Sequence, residues 1–357
     1  MLESAFSLHK KEFINNLSTV LLHAVLGTTI NFLLVGGCLC IARDHRPEYF
    51  PVPSYNISSA HIFLFSSLIS AVEPASVLNI FESVGVSPQL HYLVRGESII
   101  NDGVSFVFYS MTDSFTKIEA DGNRHITAVD VVLGILSFFT ISLGGLIIGM
   151  LLGIFSSWMS KHTDHKMRMV EPMVIFLSDY LAYLLAEMLG WSGVISLFGC
   201  ALMQAQYGFK NLSDNALSFI QTGVDIAAST SDSVIFLYLG VQLCGLAVEH
   251  HKQEEDLPSP FDWWFIIMAT VICFFVRFIA VYLVSLITKN GDGDDDWRSR
   301  ILMSYAGIRG AVSFALASLH MESMKEKYSK NSTSAMLAAT TQILILSTTF
   351  IQGTTIR

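Results

Sequence analysis

Long apolar stretches, separated by short polar segments, follow one another along almost the whole chain. Most of them reach the roughly 17 to 25 residues that an α-helix needs to cross a bilayer. They are continuous rather than alternating, which argues against a membrane β-barrel. The pattern predicts an all-α polytopic membrane protein with about ten spans, over Leu17–Ala42, Ala60–Ile80, Leu90–Met111, Ala128–Trp158, Met169–Leu189, Trp191–Tyr207, Leu217–Val248, Trp263–Thr288, Ile301–His320 and Met336–Ile351.

The composition agrees with a chain that lies in the lipid bilayer along its whole length. Hydrophobic residues make up 52% of the 357 residues and charged residues 14%, whereas soluble domains carry roughly 25% charged residues. The mean hydropathy of +0.52 argues against a soluble protein with one membrane anchor. The net charge of -9 argues against a nucleic-acid partner, because phosphates attract basic surfaces. The basic Met159–Arg168 loop predicts the cytoplasmic side.

The third apolar run carries polar residues that are costly in a bilayer. Arg95, Glu97, Asn101 and Asp102 lie there within otherwise apolar sequence. A charged group at membrane depth costs several kcal/mol or more, so such residues usually face a partner or an ion pathway. Glu97 and Asn101 are one helical turn apart, while Asp102 is rotated further round the helix. The two carboxylates therefore need not serve the same partner.

Two of the predicted spans carry residues that interrupt a helix. Pro74 follows Glu73 in the middle of the second span, and proline removes a backbone donor and breaks the helix. Gly307 and Gly310 flank Arg309 in the ninth span, and glycine lowers helix propensity. Interrupted helices in opposite halves of a membrane protein indicate a transporter site built on inverted repeats.

Two further acidic or basic positions need an explanation at membrane depth. Arg309 needs a carboxylate partner, for which Glu97 is our candidate, unless the arginine side chain extends to the interface. Asp232 lies in the polar Ser229–Ser233 segment of the seventh span. This residue is predicted either to cap a helix that starts after a break or to be a second acidic lining residue.

Five motifs, taken in order, give the chain a resemblance to the eukaryotic sodium/proton exchangers, the electroneutral branch of the monovalent cation/proton antiporters. Any one of them is weak evidence, but their order along nearly the whole chain is specific. They are Leu68-Ile-Ser-Ala-Val-Glu73-Pro74, Gly96-Glu97-Ser-Ile-Ile-Asn101-Asp102, Arg168-Met-Val-Glu171-Pro172, Ser231-Asp232-Ser-Val-Ile-Phe236 and Tyr305-Ala-Gly-Ile-Arg309-Gly310-Ala311.

The resemblance implies a fold of two inverted repeats, with a mobile core domain and a dimerisation domain that work as a homodimer by alternating access. It implies that Asn101 and Asp102 bind the ion, with Glu73 beside them, so that Asp102 and Glu73 are the expected Na⁺ ligands. It also implies a structural ion pair between Glu97 and Arg309. Ser98 and Val72, which belong to the same motifs, are candidates for lining the site.

The chain departs from the family pattern in composition and in length. Glu73 stands where the family usually has Asp, and Asp232 where it usually has Glu; Arg95 and Gly103 also replace more typical residues. The sequence starts just past the family's double-proline segment and stops before the usual regulatory tail. We therefore expect residues 1–357 to be a membrane transport domain that lacks its first helices and its cytoplasmic tail.

These observations predict an electroneutral Na⁺/H⁺ antiporter that regulates intracellular or organellar pH, with K⁺ or Li⁺ as alternative cations. It is expected to be a transporter and not an enzyme, with no cofactor besides the transported ions. Asp102 alternately holds Na⁺ and H⁺, because burial favours the neutral carboxyl group and a bound cation favours the carboxylate. Two alternatives are a non-transporting truncated partner of a full-length exchanger and an ion channel. The plasma membrane is the favoured location, with an endomembrane as the alternative.

Overall fold

A computed structural model describes Phe6 and residues 17–45, 57–74, 77–78, 81, 88–120, 127–163, 170–252, 261–288, 297–327 and 332–355. All regular structure in these ranges is helical. The helices are α1 (Leu17–Asp44, with a π-helical turn over Leu22–Gly27), α2 (Ser59–Leu68), α3 (Pro88–Ala120), α4 (Ala128–His162), α5 (Val170–Met188), α6 (Gly193–Met203), α7 (Asp214–Lys252), α8 (Trp263–Thr288), α9 (Trp297–Tyr305), α10 (Ala311–Lys327) and α11 (Ser332–Thr355).

The helices coincide with the predicted apolar runs, so the prediction of an all-α polytopic membrane protein is confirmed. Among the described residues, five helices are long and apolar enough to cross a membrane unaided, namely α1, α4, α7, α8 and α11. The second predicted run is interrupted after Leu68, where α2 ends, and is helical again at Val77 and Leu78. The ninth is divided into α9 and α10. Lys166 and Arg168 of the predicted cytoplasmic loop lie outside the described residues.

The chain divides into two compact units. Unit 1 comprises residues 1–17 and 126–233, and unit 2 comprises residues 18–125 and 234–357. Helix α7 is continuous from Asp214 to Lys252 and contributes to both. Each unit is described separately below.

Unit 1 is held together by close packing of α4 against α6. A methyl group at Gly149 or Gly153 of α4 would overlap a backbone carbonyl oxygen of α6, and one at Gly145 would overlap the carbonyl oxygen of Ser192, directly before α6. Small residues four apart let membrane helices approach at backbone distance, where dispersion forces are largest. The opposite side of α4 is different, because large apolar side chains from Val129 to Trp158 are exposed there. That surface suits contact with lipid.

The core of unit 2 lies between α1, α2, α3, α8, α10 and α11. Phe65 and Leu68 of α2 are fully buried there and pack in one cluster with residues of α8 and α11, such as Ala269 and Leu344. Side-chain caps help to start two of these helices: the Ser58 hydroxyl accepts a hydrogen bond from the backbone of α2, and the Asp262 carboxylate accepts from the first turn of α8. This core surrounds the two interrupted segments.

Candidate ion-binding site

The two interrupted segments of unit 2 lie directly against each other. The backbone is not helical over residues 71–74, after α2, and over residues 307–310, between α9 and α10. The backbone N–H of Glu73 donates to the carbonyl oxygen of Ile308 at 2.8 Å. Non-helical backbone at membrane depth needs such partners, because lipid provides none. The helix interruption predicted at Pro74 and the one predicted at Gly307 and Gly310 are therefore hydrogen-bonded to each other.

Glu73 caps the start of helix α10. One oxygen of its carboxylate, Oε2, accepts a hydrogen bond from the backbone N–H of Ala311 at 2.6 Å. The N-terminus of a helix carries a partial positive charge and unpaired N–H groups, and both favour a carboxylate. Gly310 is what allows this approach, since a methyl group at that position would overlap the Glu73 carboxylate.

Arg309 makes the reciprocal contact at the end of helix α2. Its Nη1 donates to the carbonyl oxygens of Ser70 and Ala71, both at 3.3 Å. These carbonyls follow the last turn of α2, where a helix carries partial negative charge. Arg309 is 2% exposed, so the bonds are made away from solvent. Each interrupted segment thus supplies the charge that stabilises the helix end of the other.

Helix α3 carries the other predicted site residues to the same place. The Ser98 hydroxyl donates to the carbonyl oxygen of Val72 at 2.8 Å, so these two candidates contact each other directly. Asn101 and Asp102 are buried one turn further along, and the charges of Asp102 and Glu73 are close enough to interact. The structure therefore brings Val72, Glu73, Ser98, Asn101 and Asp102 together.

Polar atoms in this site are left without a partner. Oδ1 of Asp102 and Nδ2 of Asn101 are buried and make no hydrogen bond with any described residue. The Asn101 side chain is held by Ser105, whose hydroxyl donates to Asn101 Oδ1 at 3.0 Å. A buried carboxylate oxygen without a donor is unfavourable unless a proton or a cation satisfies it. The residues present therefore fit a transported cation or a proton as substrate.

The predicted ion pair between Glu97 and Arg309 is wrong. Oε1 of Glu97 instead accepts from Nη1 of Arg277, on α8, at 2.7 Å, and both residues are at most 5% exposed. Arg309 is already bonded to the backbone carbonyls after α2, which explains why it does not need the carboxylate. Sequence reasoning missed Arg277, although the signal was present: it is the only charged residue of the Trp263–Thr288 run.

The structure also locates Asp232 and Arg95, the two remaining charged residues that the sequence analysis singled out. Asp232 lies inside the continuous helix α7, so the prediction that it caps a helix after a break is wrong. Its side chain is partly buried and belongs to unit 1; its role as an acidic lining residue stays a prediction. Arg95 is partly buried on α3, less than one turn before Glu97.

Comparisons with known proteins show which family the chain resembles along its whole length. The profile of a family described as sodium/hydrogen exchanger, transmembrane, matches residues 1–357. Na(+)/H(+) exchanger protein 7 of Caenorhabditis elegans is 36% identical over 357 residues, which are 100% of this chain and 43% of that protein. Na(+)/H(+) exchanger beta of Oncorhynchus mykiss is 30% identical over 361 residues, covering 100% of this chain and 44% of that protein. The chain thus spans less than half the length of these relatives.

A solved structure gives the fold independently. The sodium proton antiporter MjNhaP1 from Methanocaldococcus jannaschii, solved at pH 8, matches with a TM-score of 0.73 and 18% sequence identity, covering 99% of this chain and 80% of that chain. The likeness at this identity concerns the fold alone. The predicted antiporter fold with interrupted helices is confirmed.

Proposed function

The chain belongs to the sodium/hydrogen exchanger family, and we propose that it exchanges Na⁺ for H⁺ across a membrane by alternating access. The observation that carries the proposal is the buried, unpartnered oxygen of Asp102 beside the contact between two interrupted helices. An ionisable group there is costly unless it binds something that is transported. The names of the relatives, which are exchangers, agree with this reading.

Coupling in this proposal follows from competition for one carboxyl group. In the low dielectric of the site, Asp102 is stable as a protonated acid or as a carboxylate that holds a cation. Sodium is a hard cation that prefers oxygen ligands. Asp102 and Glu73 would supply carboxylate oxygens, and Asn101 an amide oxygen. Because one proton replaces one monovalent cation, each cycle moves no net charge.

The neighbouring charged residues hold the site in shape. Glu73 and Arg309 fix the two interrupted segments through the helix ends that they cap. The Glu97–Arg277 pair links α3, which carries Asp102, to α8. Ser98 fixes α3 against the carbonyl of Val72. Each of these four interactions gives its polar group a hydrogen-bond partner, whereas Oδ1 of Asp102 has none among the described residues.

The wider setting is proposed on the family resemblance. We propose that residues 1–357 form a membrane transport domain, that it works as a homodimer in the plasma membrane and that it regulates pH. Potassium or lithium would bind through the same oxygen ligands as sodium. Measuring how much each ion inhibits sodium-driven exchange distinguishes the three cations. No cofactor takes part in the proposed cycle.

The test is sodium-driven proton movement through the purified chain in lipid vesicles that contain a pH-sensitive dye. An inward Na⁺ gradient should drive proton efflux, and Asp102→Asn, which keeps the shape but cannot ionise, should reduce the rate at least ~100-fold. Glu119→Gln is the matched control, because Glu119 is an exposed acid on the same helix. Exchange that survives Asp102→Asn at equal protein density contradicts the proposal.

A further inference from the structure

A buried chain of polar contacts joins three helices of unit 2 at a distance from the ion-binding residues. Oδ1 of Asp113, on α3, lies 2.8 Å from the ring Nδ1 of His320, on α10. The other ring nitrogen, Nε2, lies 3.4 Å from the hydroxyl of Ser334, on α11. Nζ of Lys117 lies 2.6 Å from the second carboxylate oxygen of Asp113. Asp113 and His320 are thus each held by a further partner besides each other.

These contacts are made away from solvent. His320 is 1% exposed, Ser334 is 2% exposed and Asp113 is 8% exposed. A hydrogen bond inside a protein is electrostatically stronger than one in water, and an unpaired polar group there is unfavourable. The carboxylate can only accept, so Nδ1–H of His320 donates to it, and the Ser334 hydroxyl can serve Nε2 as donor or as acceptor. The ring of His320 is therefore held on both sides.

The same two helices carry the two parts of the proposed ion site. Asp102 lies about three turns before Asp113 on α3. Ala311, whose N–H holds the Glu73 carboxylate, is the first residue of α10, about two and a half turns before His320. With a rise of 1.5 Å per residue, both separations are roughly 13 to 17 Å along the helix axes. The two helices therefore run parallel, with the ion site at one level and the Asp113–His320 contact at another.

Two links between parallel helices set how far one is shifted along the other. Both α3 and α10 are continuous between the two levels, so a shift of α10 at His320 is transmitted to Ala311. Glu73 moves with Ala311, because its carboxylate accepts from that N–H. About three full turns separate Asp113 from Asp102, so both project from the same face of α3. The height of Glu73 relative to Asp102 therefore depends on the Asp113–His320 contact.

Apolar packing between the two levels does not specify this height. Tyr109 of α3 and Leu316 and Ala317 of α10 belong to one hydrophobic cluster there. Hydrophobic contacts are non-directional, so they hold the helices together without choosing one register. A hydrogen bond to one ring nitrogen is directional. The contact of Asp113 with His320 is thus able to select the register.

We propose that Asp113 and His320 are positioning residues for the ion site, which hold α10 at the height where Glu73 and Asp102 ligate one cation. This inference rests on the proposed function, because it takes Asp102 and Glu73 as the ligands. Binding groups must be held within about 0.5 Å of their productive positions, and a hard cation binds its oxygen ligands at short distances. Loss of the Asp113–His320 contact should therefore weaken Na⁺ binding, beyond any effect on the fold.

The test measures Na⁺ binding by the full chain in lipid nanodiscs, as the rise of the unfolding temperature in NaCl against equal choline chloride. The NaCl concentration for half of the rise reports affinity, and the unfolding temperature in choline chloride alone reports the stability of the fold. His320→Leu should raise the half-effect concentration at least ~5-fold. His320→Asn, whose amide N–H can replace Nδ1–H, should restore it to within ~2-fold of the unmodified chain.

His23→Leu is the matched control for loss of a buried histidine. His23 is 5% exposed, and its ring contacts the carbonyl oxygen of Thr19 in its own helix. It does not join two helices through that contact, so its replacement should leave the half-effect concentration unchanged. Ser334→Ala serves if His320→Leu fails to fold. It removes the hydroxyl beside the ring and should raise the half-effect concentration at least ~2-fold.

The outcomes separate this inference from the proposed function. A sodium effect that is absent from the unmodified chain, or that survives Asp102→Asn, would overturn the ion site itself and this inference with it. A sodium effect that needs Asp102 but has the same half-effect concentration in His320→Leu would overturn the positioning role alone. So would equal shifts in His320→Leu and His320→Asn, or no shift in Ser334→Ala. A lower unfolding temperature without a change in affinity would identify a purely structural contact.

Discussion

Glu73 and Arg309 show how single charged residues can be stable inside a membrane protein. Each is bonded to the backbone at a helix end: Glu73 to the N–H of Ala311, and Arg309 to the carbonyls of Ser70 and Ala71. Helix ends carry partial charges and unpaired polar groups, so a full charge of opposite sign satisfies both. The two residues therefore satisfy the polar groups of the interrupted backbone, while Oδ1 of Asp102 is left without a partner among the described residues.

Gly310 is the residue on which this arrangement depends most directly. Gly310→Ala would place a methyl group where the Glu73 carboxylate lies, so Glu73 must move and lose its bond to Ala311. We expect the substitution to cost about 1–3 kcal/mol of unfolding free energy and to slow vesicle exchange at least ~10-fold. Gly240→Ala is the control, because nothing lies within 4 Å of a methyl group there. Equal unfolding and exchange in both variants would refute this role.

Residue-level reasoning predicted the cost of buried charges but could not choose their partners. The predicted spans contain three arginines, Arg95, Arg277 and Arg309, and Glu97 could pair with either of the two that lie on other spans. Only the packing of α8 against the rest of unit 2 decides in favour of Arg277, at 2.7 Å. A partner across 180 residues of sequence has no local signal, so the pairing required the three-dimensional structure.

At the scale of the elements, helix α3 combines Asn101 and Asp102, which we propose bind the ion, with the links that position them. Ser98 joins it to the interrupted segment after α2, and Glu97 joins it to α8. Further along the same helix, Asp113 is bonded to Lys117 at 2.6 Å and to His320 of α10 at 2.8 Å. These contacts hold both halves of α3 against its neighbours.

The Glu97–Arg277 link can be measured by a double-mutant cycle. Glu97→Gln leaves the Arg277 guanidinium buried without its carboxylate, and removal of one partner of a buried pair costs about 3–5 kcal/mol. The coupling energy between Glu97→Gln and Arg277→Gln should be about 1–3 kcal/mol. The coupling between Glu97→Gln and Arg309→Gln, which make no ion pair with each other, should be less than half as large.

The measurement is chemical unfolding of the chain in detergent, with the four variants of each cycle compared under one condition. Arg309→Gln alone is expected to be destabilising, since it frees the carbonyls of Ser70 and Ala71. A larger coupling of Glu97 to Arg309 than to Arg277 would show that the carboxylate has the partner that the sequence suggested.

Most elements could be predicted, because apolar runs and helix breakers are local signals. The Trp263–Thr288 run matches α8 at both ends, and Pro74 and Gly307 lie in the two non-helical segments. What the sequence did not reveal is the register of α3 against α10. Asp113 and His320 are 207 residues apart in sequence and polar residues are spread along both helices, so their meeting depends on which faces pack.

At the scale of the whole molecule, the decisive question is whether ion movements are coupled. The proposed cycle binds either one Na⁺ or one H⁺ at Asp102 and never both, so the loaded protein has the same charge in each direction. A channel built from the same polar residues would instead pass ions down the membrane potential without coupling. The competition between Na⁺ and H⁺ for Asp102 in the proposed cycle favours coupled exchange.

Coupled one-for-one exchange predicts that transport is insensitive to voltage. If one net charge crossed per cycle, about 100 mV would act on it with about 2.3 kcal/mol, which is roughly a 50-fold bias between directions. In vesicles clamped with valinomycin and a potassium gradient, sodium-driven proton efflux should therefore differ by less than ~2-fold between positive and negative potentials. Asp102→Asn vesicles supply the leak that is subtracted. A flux that follows the potential would contradict one-for-one exchange, because only a net movement of charge responds to the field.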